Sequence, residues 1–392
     1  MFSVTYWVTG AAALGSSAET MGKRSVKSFS SVLHSLSLGI VLFAFLSVGA
    51  EETKSPLAPA MFIFGDSLID DGNNNFIPSL ARANYQPYGI DFGFPSGRFC
   101  NGLTVVDYGA QLLGLPFTPP YLSPTSKGAK ILRGINYASA AAGILDETGK
   151  HYGGRVSFNG QLALFEKTLA LDLGLLFQTR EALLQYLAKS IFVINVGSND
   201  YINNYLLPKI YASPHVYSRE AFADLLISIY SLQLSKLYEL GARKIVLVGI
   251  GALGCIPSQL AMVNGNDSCV ERVNYIVSAF NERLQQLVPS LNSTLPGSYF
   301  VFHDVYSVFS DIVHNPSKYG FTVANKACCG NGRFGGTVSC LPNQVPCLNR
   351  EEYVFWDSFH PTQAVNAIIA QSCYTPEATN CHPVSVYELA KI

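Results

Sequence analysis

Charge is scarce in this chain. Lys, Arg, Asp and Glu make up 14% of 392 residues, and the formal net charge is −1. So thin and even a balance leaves no basic footprint for nucleic acid, and no polyanion partner is expected. The mostly apolar run from Leu36 to Val48 spans 13 residues, too short to cross a bilayer comfortably, so no stable membrane insertion is expected. No Gly-x-Ser-x-Gly is present, which argues against the nucleophile elbow of the α/β-hydrolase fold. No Cys-x-x-Cys is present either, so the usual zinc spacing is missing and no metal is expected. Gly330-x-Gly332-x-x-Gly335 matches a dinucleotide fingerprint by letters, but it follows two cysteines rather than a strand. Neither a metal nor an organic cofactor is therefore expected. No internal repeat or low-complexity linker divides the chain.

What is present is apolar: 48% of the residues, ample for a large core. Five short runs rich in Ile, Val or aromatics recur, at Met61–Phe64, Ile131–Ala138, Ile191–Val196, Lys244–Ile250 and Tyr299–His303. Helix-like segments separate them, notably Ser218 to Leu240 and Ser268 to Val288. Alternating strands and helices predict a parallel sheet covered on both faces.

The first run stops at Gly65-Asp66-Ser67, and turn residues follow at Gly72-Asn73-Asn74-Asn75. Ser67 thus lies just past the carboxyl end of a buried strand, where open α/β sheets place ligands. A serine there is a nucleophile if a base reaches it, or the cap of a following helix if none does. Near the other end stands Asp357-Ser358-Phe359-His360-Pro361. An Asp three residues before a His can orient its imidazole and fix its tautomer. The same stretch also reads as a helix start with Pro361 at the first helical position.

Phe64-Gly65-Asp66-Ser67-Leu68 with Asp70 and Gly72-Asn73-Asn74-Asn75 resembles the first block of the plant GDSL esterase/lipases, within the SGNH hydrolases. Further matches follow in order: Ser96-Gly97-Arg98-Phe99-Cys100-Asn101-Gly102, Asn136 to Ile144, Gly197-Ser198-Asn199-Asp200-Tyr201, and Asp357-x-x-His360-Pro361. The resemblance covers essentially all of residues 58 to 390. It implies a flavodoxin-like three-layer α/β/α sandwich with a five-stranded parallel sheet, and long loops, 67–103 and 318–356, over the site. It implies a serine esterase acting on a small-molecule, lipid or polymer ester. Ser67 would be the nucleophile, His360 the base and Asp357 its orienting acid. The oxyanion donors would be the N–H of Ser67, a backbone N–H of the second block and the Asn199 side chain. Many relatives carry paired glycines where this chain has Ala140-Ala141. Motif alignment assigns the second donor to Ala141, with Gly143 as the alternative. Alanine serves there if φ is negative and is strained if φ must be positive.

The other readings stay open at this level. The same acyl-enzyme could pass its acyl group to a sugar or polyester hydroxyl, or a binding protein could have lost catalysis, with Ala140-Ala141 as its only support. None of His34, His151, His215, His303, His314 and His382 has an acid three before it and a proline after. Asp304 follows the fifth run and is an alternative orienter. Asp66 and Asp70 read as shaping the turn, Asn73 to Asn75 as bonding their own backbone, and Arg98 as a carboxylate partner holding the first long loop.

Residues 1–50 read as targeting rather than fold. Lys23, Arg24 and Lys27, the Leu36–Val48 run and Val48-Gly49-Ala50 lay out a secretory signal peptide over residues 21–50, cleaved after Ala50. Met21 reads as the working start, with residues 1–20 an upstream extension, and residues 51–392 form one domain. All nine cysteines follow Ala50, so disulfides are the default in a secreted protein. Cys255 and Cys269 flank a short polar loop and are candidates for one pair. The odd count leaves a thiol over, and Cys100 is the candidate, because related sequences more often have Ser at that place. Asn266 and Asn292 begin sequons in stretches read as polar loops, and are the candidate glycosylation sites.

Overall fold

A computed structural model describes residues 55–263 and 268–392. The signal-peptide reading of residues 1–50 and the sequon at Asn266 therefore lie outside the described residues.

The central sheet is built from β1 (Met61–Gly65), β2 (Gly134–Asn136), β3 (Ile191–Asn195), β4 (Lys244–Val248), β5 (Tyr299–His303) and β6 (Cys381–His382). Their order across the sheet is β6-β5-β4-β3-β1-β2. The first five are mutually parallel, as expected, in the 2-1-3-4-5 order of a flavodoxin-like sheet. The expected count of five is corrected to six: β6 adds an antiparallel edge, pairing Cys381 with His303. Two residues make a weak strand, and a disulfide between Cys381 and Cys373 anchors this one.

Side chains alternate between the faces of each strand, so the sheet separates two cores. Phe62, Phe64, Phe192, Ile194, Leu247 and Phe300 face one of them. There they meet α2 (Phe158–Leu171), α3 (Arg180–Lys189), α4 (Arg219–Glu239) and α5 (Glu271–Thr294). Met61, Ile63, Val193, Val246 and Val301 face the other, against α1 (Val105–Leu112), α6 (Val305–His314) and α7 (Gln363–Tyr374). Both faces being covered explains why the strands read as continuous apolar runs. Helix α4 starts where its cap dictates, with the Ser218 side chain accepting from Ala221 N.

Three expectations shift. The run Ile131–Ala138 yields only three strand residues, because Gly128–Arg133 winds into a 3₁₀ turn first. Pro361 is not a first helical residue: α7 begins at Gln363, preceded by Thr362, whose hydroxyl donates to Tyr353 O rather than capping the helix, and Pro361 bridges to Phe355. Asn292 sits in the last turns of α5, not in a loop. Its side chain accepts from Phe300 N at 2.6 Å and donates to Phe300 O at 3.0 Å, so its amide is committed to β5.

Four disulfides join Cys255–Cys269, Cys328–Cys347, Cys329–Cys340 and Cys373–Cys381, and Cys100 is the buried free thiol. Two of them lace the second long loop, which lies beside the site. Among the described residues, no helix is long and apolar enough to cross a membrane.

Candidate active site

Strand β1 ends in a tight place. A Cβ on Gly65 would stand 2.1 Å from the Asn195 carbonyl oxygen, so only glycine fits beside β3. Gln161 on α2 grips both backbone atoms of Gly65, each at 2.8 Å. The chain then turns on Asp66, whose Oδ1 accepts from Leu68 N at 3.0 Å. No helix follows at once, so the capping alternative for Ser67 fails. The hydroxyl is left free to reach elsewhere.

It reaches His360. Ser67 Oγ and His360 Nε2 are 2.8 Å apart, across 293 residues of sequence. On the far side of the ring, Nδ1 lies 2.8 and 2.9 Å from the two oxygens of Asp357. Asp357 Oδ1 also accepts from the N–H groups of Phe359 and His360, each at 2.8 Å. Burial works against an ionised Asp357. The His360 charge and hydrogen bond, with help from Tyr88 and Phe359 N–H, outweigh it and hold the carboxyl below its usual value.

Asp304, the alternative orienter, caps α6 instead by accepting from Ser307 N at 3.1 Å. His303 is buried against Ser372 Oγ at 3.0 Å, and His314 Nδ1 bonds Ser310 O within its own helix.

The pair opens into a cavity of about 140 Å³, lined by Ser67, Tyr88, Phe99, Ala141, Asn199, Asp357 and His360 among others. Both long loops contribute to it, through Tyr85 and Tyr88 from the first and Ser339 from the second. Ala140 and Ala141 line it, but Gly143 does not. A Cβ on Gly143 would instead meet Thr148 and Asp200. Among the described residues, the N–H groups of Ser67 and Ala141 have no partner in the protein. Asn199 gives one amide hydrogen to Ala142 O at 2.9 Å, and its Oδ1 accepts from Asn203 Nδ2 at 2.6 Å, which leaves one hydrogen to spare. Ala141 has φ of +65°, the strained alternative for an alanine.

Buried carboxylates and amides hold that strained loop in place. Asp70 Oδ2 and Asn74 Oδ1 both accept from Ala140 N at 3.1 Å. Asp200 accepts from Ile144 N at 2.8 Å, Leu145 N at 3.1 Å and Thr148 Oγ1 at 2.7 Å. Burial pushes both acids up to about 6 despite these bonds. Asn73 and Asn74 do not bond their own turn with their amide hydrogens, as expected of them. Asn73 Nδ2 donates to the carbonyls of Asn136 and Ala138, and Asn74 Nδ2 to those of Ala81 and Ala140. The first block is thus stitched to the second.

Tyr88 was invisible in sequence. Its hydroxyl donates to Asp357 Oδ2 at 2.6 Å, yet it stands in a loop whose residues follow no period. Arg98 fits its expected part: Nε and Nη2 grip the two oxygens of Asp107 at 2.6 and 2.7 Å. The donor atoms of Cys269, Glu271 and His314 lie within 4.8 Å of one another, but Cys269 is tied up with Cys255 and offers no thiolate.

Fold and kinship together define the class as carboxylic ester hydrolase. The chain belongs to the GDSL-like lipase/acylhydrolase family, whose profile matches residues 61–372. It is similar to GDSL esterase/lipase 7 of Arabidopsis thaliana, 60% identical over 92% of this chain and 100% of that one. It is also similar to GDSL esterase/lipase At1g71250, 49% identical over 86% of this chain and 90% of the relative, and to At5g45670, 48% identical over 91% and 99%, both from the same plant.

Proposed function

We propose that this hydrolase is a secreted serine esterase that cleaves acyl or lipid-type carboxylic esters through an acyl-enzyme on Ser67. The observation that carries the reading is the 2.8 Å contact of Ser67 Oγ with an imidazole held from behind by Asp357. His360 Nε2 takes the hydroxyl proton as Oγ attacks the ester carbonyl carbon. The carbonyl oxygen becomes an oxyanion, met by the N–H groups of Ser67 and Ala141 and the spare amide hydrogen of Asn199. The C–O bond to the alcohol then breaks, and His360 returns the proton to the leaving oxygen. Water repeats the sequence on the acyl-enzyme and frees the acid. Asp357 keeps the imidazole in the tautomer whose Nε2 can accept, and stabilises its charged form. No step calls for a metal or a cofactor.

Residues 51–392 are proposed as the working domain, exported by a signal peptide over residues 21–50. Asn266 is the proposed glycan acceptor. Asn292 is the lesser one, because its amide is already bonded twice to β5.

The test is turnover of p-nitrophenyl esters by secreted protein begun at Met21, beside its Ser67→Ala twin. Activity confined to the wild type supports the reading; undiminished activity in the variant overturns the nucleophile. Asn199→Ala should cost about 10²–10³-fold in kcat, the usual loss for one oxyanion donor, with little change in KM. A pure KM effect would speak against that role.

A further inference from the structure

Two segments meet beside the site. Leu80 N donates to Tyr152 O and Gly154 N to Pro78 O, each at 2.8 Å, and Ser79 bridges to Gly153. They frame an open recess of about 430 Å³, lined by Arg82, Lys150 and His151 among others. Leu80, Arg82 and Tyr152 line both this recess and the cavity of Ser67, so the two adjoin.

Two of the lining side chains carry charge that nothing offsets. Arg82 is half-buried; its Nη2 donates to Ile77 O, and its Nε is buried with no hydrogen-bond partner. Lys150 is exposed. Among the described residues, no carboxylate pairs with either. His151 adds no charge at neutral pH, because burial, and then the Arg155 cation, hold its imidazole below its ordinary value. A half-buried guanidinium with an idle N–H lacks an anionic acceptor.

We infer that Arg82, helped by Lys150, receives a carboxylate carried by the substrate whose ester carbonyl stands at Ser67. The inference rests on the esterase reading and adds the substrate class: singly charged esters with a free carboxyl group, rather than wholly neutral ones. Asp146 and Glu147, exposed on the same segment as Lys150, disfavour a doubly charged group there.

The experiment measures kcat/KM on two pairs of esters, each pair differing only in whether a carboxyl group is free or methylated. One pair has it on the acyl part: p-nitrophenyl hydrogen glutarate and its methyl ester. The other has it on the alcohol part: 4-butyryloxybenzoate and its methyl ester. The readout is the charged-to-neutral ratio, which a general loss of activity does not move. Arg82→Gln should lower the ratio ~10-fold in one pair or both, the low end for a hydrogen bond to a charged group, and the responding pair shows which part carries the carboxylate. Arg82→Lys should lower it only ~3-fold, since the charge returns without the fork, and Lys150→Gln ~2-fold. Ratios unchanged in both pairs for Arg82→Gln overturn the carboxylate site. If Arg82→Gln does not fold by circular dichroism, or turns over neither neutral ester, Lys150→Gln and the wild type decide. Raising ionic strength from about 0.01 M to about 1 M should lower the wild-type ratio ~3-fold. A ratio indifferent both to salt and to Lys150→Gln overturns the site. No turnover of any of these esters by the wild type overturns the esterase reading, and the carboxylate site falls with it.

Discussion

Tyr88 donates its hydroxyl hydrogen to Asp357 Oδ2 at 2.6 Å, and both residues are buried. The first long loop is thereby tied to the acid that orients His360, rather than merely covering it. The tyrosine adds a fourth donor to a carboxylate already serving the imidazole and two backbone N–H groups.

Tyr88→Phe removes that donor and keeps the ring, which packs edge-on against Trp356. A hydrogen bond to a charged group is worth about 1.5–3 kcal/mol, so a fall of ~10–100-fold in kcat is expected if Asp357 loses its hold on the ring. KM should stay within ~2-fold, because the hydroxyl orients the acid rather than the ester. Steady-state kinetics on one ester decides it. A raised KM at constant kcat would make Tyr88 a substrate contact instead.

Ala141 stands at φ of +65°, where a side chain costs roughly 1–2 kcal/mol relative to glycine. Glycine has more freedom to lose on folding, about 0.4–1 kcal/mol. The balance predicts that Ala141→Gly is neutral or stabilising by up to ~1.5 kcal/mol, with kcat retained. Urea unfolding of the two proteins measures it. A clear loss of stability would mean the Ala141 methyl packs well enough to offset its strain.

These examples separate what the sequence carries from what it does not. That Ser67, His360 and Asp357 lie together was legible because an ester-cleaving serine calls for those residue types, and because each stands in a motif quoted from the sequence; their catalytic roles belong to the proposal. Asn199 follows for the same reason. The five parallel strands were legible because burial on both faces makes each a short apolar run. Tyr88 was not, since its value lies in a partner 269 residues away. Strand β6 was not, since two residues have no periodicity and the Cys373–Cys381 pairing that ties it to α7 is not legible from cysteine spacing. Asn73 and Asn74 misled for a related reason. Asparagine at a turn bonds its own backbone by default, and only the approach of the second block gives these two better acceptors.

Stability should respond to pH in two opposite ways. Burial pushes Asp66 up to about 7, and its Oδ2 has no hydrogen-bond partner. Its folded form holds a proton that the unfolded chain releases at the usual carboxylate value, so its contribution is present at low pH and lost as pH rises through about 7. Burial pushes His303 down to about 3, so the unfolded chain binds the proton first and stability is lost as pH falls from 6.5 towards that value. Melting temperature should therefore decline on both sides of a mildly acidic maximum. Asp66→Asn should lessen the alkaline decline, to which Asp70, Asp71 and Asp200, likewise pushed up by burial, also contribute, and His303→Gln should lessen the acid one. If each variant kept the slopes of the wild type, neither group would be the one titrating.

Arg98 holds the first long loop to the body of the protein. It grips both oxygens of Asp107, and its Nε lies 3.5 Å from Asp71, all three side chains being buried. Asp107 is also the residue that closes the cap of α1, accepting from Thr104 N at 2.9 Å. Arg98→Ala would strand two buried carboxylates and should cost ~3–5 kcal/mol, the range for breaking a buried pair from one side. Arg98→Lys restores the charge but not the two-pronged grip, so only part of the loss should return. The loop carries Tyr88, so esterase activity should fall in the same order, wild type above lysine above alanine. Urea midpoints and kcat on a single ester give both rankings. A lysine variant as stable and as active as the wild type would show that charge alone holds the loop, and that the paired geometry of the guanidinium is incidental.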